Sequence, residues 1–148
     1  MNIPFSPPDI TEAEINEVAE ALRSGWITTG PRTKELEKRL SEYCHTSKTV
    51  CLNSATAAEE LNFRICGIGD GDEVIVPAYT YTATASAAIH CGAKVVFVDS
   101  QKDSTEMDYD KVAAAITERT KAIVAVDLAG IVADYDRLYS IANNKRTL

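Results

Sequence analysis

Three short segments carry side chains that could do chemistry, and each follows an apolar run of the kind that forms a buried strand. Open parallel sheets present their ligand sites at the carboxyl ends of strands, so the residues leaving each run are the natural candidates. The first exit is Asn53-Ser54-Ala55-Thr56-Ala57-Ala58. Its small residues let a phosphate approach the backbone, and the helix that follows offers unpaired N–H groups and a positive dipole end. The Ser54 and Thr56 hydroxyls add donors, although the same residues also suit an ordinary Asn/Ser helix cap. The second exit, Pro77-Ala78-Tyr79-Thr80-Tyr81-Thr82-Ala83-Thr84, places two aromatics and three hydroxyls beyond a strand, where a tyrosine can stack on a planar ring or simply pack. The third is Val126-Asp127-Leu128-Ala129-Gly130, whose acid can face a substrate or stay solvated as a capping group.

Other candidates carry less. Gly67-Ile68-Gly69-Asp70-Gly71-Asp72 lacks the G-x-G-x-x-G spacing and runs from a helix into a strand, opposite to a dinucleotide-binding turn, so it reads as a turn. Cys44, Cys51, Cys66 and Cys91 form no C-x-x-C pair and are expected as reduced, buried thiols. His45 and His90 are isolated in sequence, and no metal site is expected.

The elements that must position these residues follow from periodicity. Thr11-Glu12-Ala13-Glu14 fits a capping box, and Ile15, Val18, Ala19 and Leu22 recur at helical spacing until Gly25. Trp26-Ile27-Thr28-Thr29-Gly30-Pro31 is a Gly/Pro-bounded loop, after which Leu36, Leu40 and Tyr43 mark a second helix. Four strands are expected at Val50-Cys51-Leu52, Val74-Ile75-Val76, Val95-Val96-Phe97-Val98 and Ala122-Ile123-Val124-Ala125-Val126, with helices near 56–66, 82–91, 108–116 and 134–143. Apolar on both faces, these runs suit a mostly parallel α/β sheet with helices on both faces and right-handed crossovers, preceded by two helices. No linker, repeat or low-complexity tract interrupts the chain, so one unit over 1–148 is expected. Ile141–Leu148 follows a helix where the alternation calls for another strand, and the architecture reads as unfinished.

Composition bounds the function. The 148 residues are 45% apolar or aromatic and 25% charged, an ordinary globular balance that argues against disorder. A formal charge of −7 with no Lys/Arg-rich stripe argues against nucleic acid. No segment approaches a membrane span, and the start at Met1 has no leader pattern, so a soluble, cytoplasmic protein is expected.

Together, Gly25–Pro31, Asn53–Ala58, Gly69-Asp70-Gly71-Asp72-Glu73-Val74-Ile75-Val76-Pro77, Thr80–Thr84 and Phe97-Val98-Asp99 resemble the DegT/StrS-type sugar aminotransferases, in order and separation, from about Ile10 to Asn143. The resemblance implies a fold-type-I architecture dependent on pyridoxal 5'-phosphate (PLP), with a large α/β domain, a smaller carboxyl-terminal domain and active sites shared across a homodimer. The chain then corresponds to the amino-terminal helices plus the first half of the PLP-binding large domain. The resemblance places Ala55 and Thr56 on the PLP phosphate with Ser54 shaping the turn, and Tyr81 on the pyridine ring, where the cofactor's positive charge adds a cation–π contribution. Thr28, Thr29 and Gly30, with Trp26 in support, correspond to the loop beside the sugar substrate. Asp127 stands where many relatives carry the His of a His-x-x-Gly segment.

The family's Asp, which pairs with the pyridine nitrogen, and its Lys, which bonds the cofactor, both fall beyond Leu148, and none of the eight lysines stands in the family's lysine context. No catalytic residue is therefore assigned, and the chain alone is expected to be inactive, with weak PLP binding or none. The implied activity of the full-length protein is amino transfer from an amino acid, typically glutamate, to a nucleotide-linked keto-sugar. The alternatives are a PLP-dependent sugar dehydratase on the same scaffold, or a noncatalytic fragment that self-associates through an unfinished sheet. A dehydrogenase-type nucleotide-binding domain is disfavoured by the missing glycine fingerprint.

Overall fold

The computed structural model describes residues 3–4 and 6–145; the expectation about Arg146-Thr147-Leu148 lies outside the described residues. Where the sequence suggested one unit, the chain divides into two compact units, residues 1–51 and 52–148.

The first unit holds two helices, α1 (Glu12–Arg23) and α2 (Pro31–Tyr43). The capping box forms as expected: the Thr11 side chain accepts from the Ala13 N–H, while Glu14 Oε2 accepts from the Thr11 backbone N–H at 2.6 Å. Gly25, at φ 76°, takes the left-handed conformation that lets the chain leave α1 after Ser24. The apolar stripe Ile15, Val18 and Leu22 stays exposed.

The second unit is a three-stranded, all-parallel sheet in the order β2-β1-β3, built from β1 (Glu73–Pro77), β2 (Lys94–Val98) and β3 (Thr120–Ile123). Its helices are α3 (Ala55–Ile65), α4 (Ala83–His90), α5 (Tyr109–Ala115) and α6 (Tyr135–Lys145). All five β1 residues are buried, as its Val-Ile-Val centre requires of a strand covered on both faces. Because side chains alternate, Val74 and Val76 pack with Phe63 of α3 and Ala87 and Ala88 of α4. Ile75 turns the other way, toward Val112 of α5 and Leu138 of α6. The layers are therefore helix, sheet, helix, as the doubly apolar runs predicted.

One expected strand does not form. Residues 50–52 have no strand partner among the described residues, Val50 is 58% and Leu52 42% exposed, and the Cys51 N–H donates to Glu37 Oε1 at 2.9 Å. A three-residue apolar run becomes a strand only when a neighbouring ladder takes up its backbone groups, and here a side chain does so instead. The fourth run also shifts, with β3 beginning at Thr120 and its ladder ending on the bond from Val124 N to Ile75 O at 2.9 Å. The segment after α3 is the expected turn, with Asp72 N bonding Gly69 O at 3.1 Å.

At the amino end of the sheet, Glu73 is 2% exposed and ties all three strands. Its carboxylate accepts from Thr117 Oγ1 at 2.6 Å, from Arg119 at 2.9 Å and from Lys94 Nζ at 3.1 Å. Those donors, the Thr117 hydroxyl first, hold its carboxyl down at about 2. The ladder register between β1 and β3 shifts at this same point, between Glu73 and Val74.

Candidate functional site

Glu60 and Arg64, in the second half of α3, both meet His90, the last residue of α4. The two packed helices thus run the same way, and α4 starts at the carboxyl end of β1 and finishes just before β2. Their amino ends consequently share the carboxyl end of the sheet, where an α/β domain places its ligands.

At the start of α3, Ser54 is the N-cap and its Oγ accepts from the Ala57 N–H at 3.1 Å, while Ala58 N bonds Ser54 O at 3.2 Å. The cap reading of Ser54 is thus realised, and the first two amides, Ala55 and Thr56, are left without an intrahelical partner. Ala55 contributes no bulk beyond a methyl group, and Thr56, a half-buried residue, adds a hydroxyl. Tyr81, one residue before the α4 N-cap Thr82, is 78% exposed. Thr80 and Thr84, whose hydroxyl oxygens lie 3.1 Å apart, brace its loop, and Thr84 N bonds Tyr81 O at 3.2 Å. Two open amides, a hydroxyl and an open aromatic face fit the phosphate and ring of PLP.

Asp127, at the third exit, is engaged within the chain. Its Oδ1 accepts from the Ala133 N–H at 3.0 Å and from the Tyr135 hydroxyl at 3.2 Å, which ties the exit loop to the start of α6. Burial and then the Asp127 carboxylate push the Tyr135 phenol above its ordinary value. The Tyr109 hydroxyl secures the same loop, accepting from Asp134 N and donating to Glu106, both at 2.7 Å. Neither tyrosine was flagged by the sequence, because a phenol at the start of a helix carries no signal for a partner across a loop.

In the first unit, Ser24, Trp26, Thr28, Gly30, Pro31 and Arg32 line a niche of about 220 Å³. Trp26, Thr28 and Gly30 come together there, whereas Thr29 is exposed and does not line it. Arg32 was missed by the sequence reading; a cation immediately after the Gly-Pro helix entry was the available signal. All four cysteines are free, but none is buried as expected: Cys44 and Cys66 are exposed and Cys51 and Cys91 half-buried, because the helix ends and loop they occupy lie outside the core. The described residues contain neither a metal-ligating cluster nor a helix long and apolar enough to cross a membrane.

A parallel sheet covered by helices on both faces, with the α4 entry following its central strand, is an α/β domain of the kind that PLP-dependent aminotransferases carry. The chain belongs to the DegT/DnrJ/EryC1/StrS aminotransferase family, whose model matches residues 8–147. It is 41% identical over 142 residues to the spore coat polysaccharide biosynthesis protein SpsC of Bacillus subtilis, covering 96% of this chain and 36% of that one. Identity is 43% over 139 residues to the UDP-4-amino-4-deoxy-L-arabinose–oxoglutarate aminotransferase of Shewanella sediminis, covering 94% and 36%. Among solved structures, Spr1654 of Streptococcus pneumoniae, assigned as a sugar aminotransferase, superposes with a TM-score of 0.93 in its pyridoxamine-phosphate (PMP) and PLP forms alike. It shares 66% identity over 99% of this chain and 37% of its own. The chain thus spans a little over a third of the length of these relatives.

Proposed function

We propose that the full-length protein transfers an amino group from an amino acid to a nucleotide-linked keto-sugar with PLP as cofactor, and that residues 1–148 supply part of the cofactor cradle. The observation that carries this reading is the convergence of the two open α3 amides and the exposed Tyr81 at one end of the sheet. Ala55 and Thr56 hold the phosphate through N–H groups and one hydroxyl, Ser54 keeps the turn in shape, and Tyr81 covers one ring face. When bound, PLP serves as the electron sink for chemistry at the amino-bearing carbon. Thr28, Thr29, Gly30 and Trp26 contribute to the sugar side. Asp127 orders the exit loop through Ala133 and Tyr135, so any contact it makes with substrate is shared with that duty. Glutamate is the proposed donor, since the Shewanella relative's name pairs its sugar with oxoglutarate, the keto form of glutamate.

The cytoplasm is the proposed location and a homo-oligomer the proposed state. Exposed apolar side chains in both units support the latter, among them Ile15, Val18 and Leu22 on α1 and Phe97 on β2. Light scattering over a concentration series is expected to show association of the 148-residue chain, and a strict monomer at every concentration would count against it.

The cradle is tested by PLP retention. The chain is expected to bind PLP weakly and without a stoichiometric lysine adduct after borohydride treatment and peptide mapping. In the full-length protein, Thr56→Ala and Tyr81→Ala should each weaken retention by about 1–3 kcal/mol, the value of a charge-assisted hydrogen bond or a cation–π stack. Equal retention by both variants and the full-length parent would remove the proposed cradle. A single fully labelled lysine, with amino transfer to a keto-sugar nucleotide, would show that the chain carries its own catalytic lysine.

A further inference from the structure

The central strand ends on Pro77, a buried residue with no N–H to give. The pairing of β1 with β3 closes on the bond from Val124 N to Ile75 O, and one step further the same parallel pattern would join Pro77 N to Val124 O and Val126 N to Pro77 O. Proline rules out the first of these bonds. Among the described residues neither the Pro77 carbonyl nor the Val126 N–H has a hydrogen-bond partner, and the chain turns instead, with Leu128 N on Val126 O at 2.9 Å. The two strands therefore part at their carboxyl ends. Pro77, Thr105, Met107, Val126 and Ala133 line the space between them, which has room for one water at about 10 Å³ and is backed by the buried Met107 and Ala133. Thr105, from the loop between β2 and α5, brings a buried hydroxyl oxygen without a partner among the described residues. The carboxylate of neighbouring Glu106 accepts from the Tyr109 hydroxyl at 2.7 Å and from Ser104 Oγ at 3.3 Å instead.

We propose that one buried water binds in this space and joins Thr105 Oγ1, the Pro77 carbonyl and the Val126 N–H, pinning the carboxyl ends of β1 and β3 to the β2–α5 loop. The three groups suit a single water: the carbonyl accepts from it, the amide donates to it, and the hydroxyl can do either. Buried waters typically make about three hydrogen bonds to groups that would otherwise go unpaired, whereas a cavity lined by apolar groups alone stays dry. Immobilising a water also costs less than leaving a buried amide and carbonyl unmet. The residues on either side carry two of the strand exits, since Tyr79 and Tyr81 follow Pro77 and Asp127 follows Val126. Ala133, on the cavity wall, donates to Asp127. Glu73 ties the three strands at the amino end through a buried charge, and the water ties them at the carboxyl end through a neutral group. Thr105 is thereby a positioning residue that acts on the exits through the water. The inference stands on the sheet and its exits, and does not require the aminotransferase reading.

A crystal structure of the full-length protein that resolves ordered waters is expected to show one peak at roughly 2.7–3.2 Å from all three atoms. Hydrogen exchange at the Val126 amide reads the same bond in solution. Thr105→Val keeps the shape and removes the hydroxyl; it should lose the water and speed that exchange about five- to tenfold, as loss of one buried hydrogen bond implies. Thr105→Ser retains the hydroxyl and should match the parent in both measurements. A role in methyl packing alone would give the opposite ranking, with valine tolerated and serine disruptive, and that ranking overturns the proposal. So do a dry crevice in the parent, a direct bond from Val126 N to Pro77 O, or equal exchange in all three proteins. Should Thr105→Val fail to fold, the density of the parent and the behaviour of Thr105→Ser decide the matter. PLP retention at Thr56 and Tyr81 is a separate measurement, so failure of the water site and failure of the aminotransferase reading are told apart.

Discussion

Replacing Glu73 by Gln is expected to lower the thermal midpoint of the chain by roughly 5–10 °C at neutral pH and to flatten its stability in acid. The carboxylate is buried at the amino end of the central strand, where it binds Lys94 at the head of β2 together with Thr117 and Arg119 just ahead of β3. Glutamine keeps the shape but surrenders the charge that both cations answer, and its amide nitrogen presents hydrogens where an acceptor is needed. The sign of the pH dependence follows from the depressed carboxyl, at about 2 in the fold against an ordinary 4.5. Its stabilisation is complete above the unfolded value and is lost as pH falls from about 4.5 toward 2, because the unfolded chain then takes up the proton first. Thermal melts between pH 7 and pH 2 check both points. The parent should lose stability across that window, and the variant should lose less. An unchanged midpoint, or parallel pH curves, would mean that the three-strand tie contributes nothing to the fold.

Ile75→Ala is expected to cost about 2–5 kcal/mol of unfolding free energy, the usual penalty for emptying a fully buried aliphatic position. Ile75 is wholly buried at the centre of the middle strand, registered against Val96 and Ile123, in the cluster that also holds Val112 and Leu138. The central strand cannot collapse toward the gap without breaking both ladders, which places the cost toward the upper part of that range. Urea unfolding should show a lower midpoint with an unchanged slope. Leu61→Ala is the control, because that side chain is exposed on α3 and its loss should fall near 0.5 kcal/mol. Equal effects at the two positions would show that the α5/α6 face does not close on the sheet.

Local signals with a local cause were legible. The capping box at Thr11, the stop at Gly25 and the helix after Ser54 each depend on a few neighbouring residues, and all three appear where the sequence placed them. Val74-Ile75-Val76 announced a strand buried on both sides because no polar residue interrupts it. The start of α3 was legible too, since Ser54 caps it as an Asn/Ser cap would, although among the described residues no strand precedes it. Residues 50–52 were misread because three apolar residues state a preference, while a strand also needs a neighbour to pair with.

By itself, then, the sequence determined the alternation of elements, the two-faced burial of the central strand, and the family, all of which rest on spacing over a few residues. Only the tertiary structure decided which side chains meet. It brought Thr117 and Arg119 to Glu73, drew Asp127 to Tyr135, and laid Trp26 on Gly30 beside Arg32. The first two meetings depend on how strands and loops pack in three dimensions, and the third on a close approach that only a missing Cβ allows. Neither can be read from spacing along the chain.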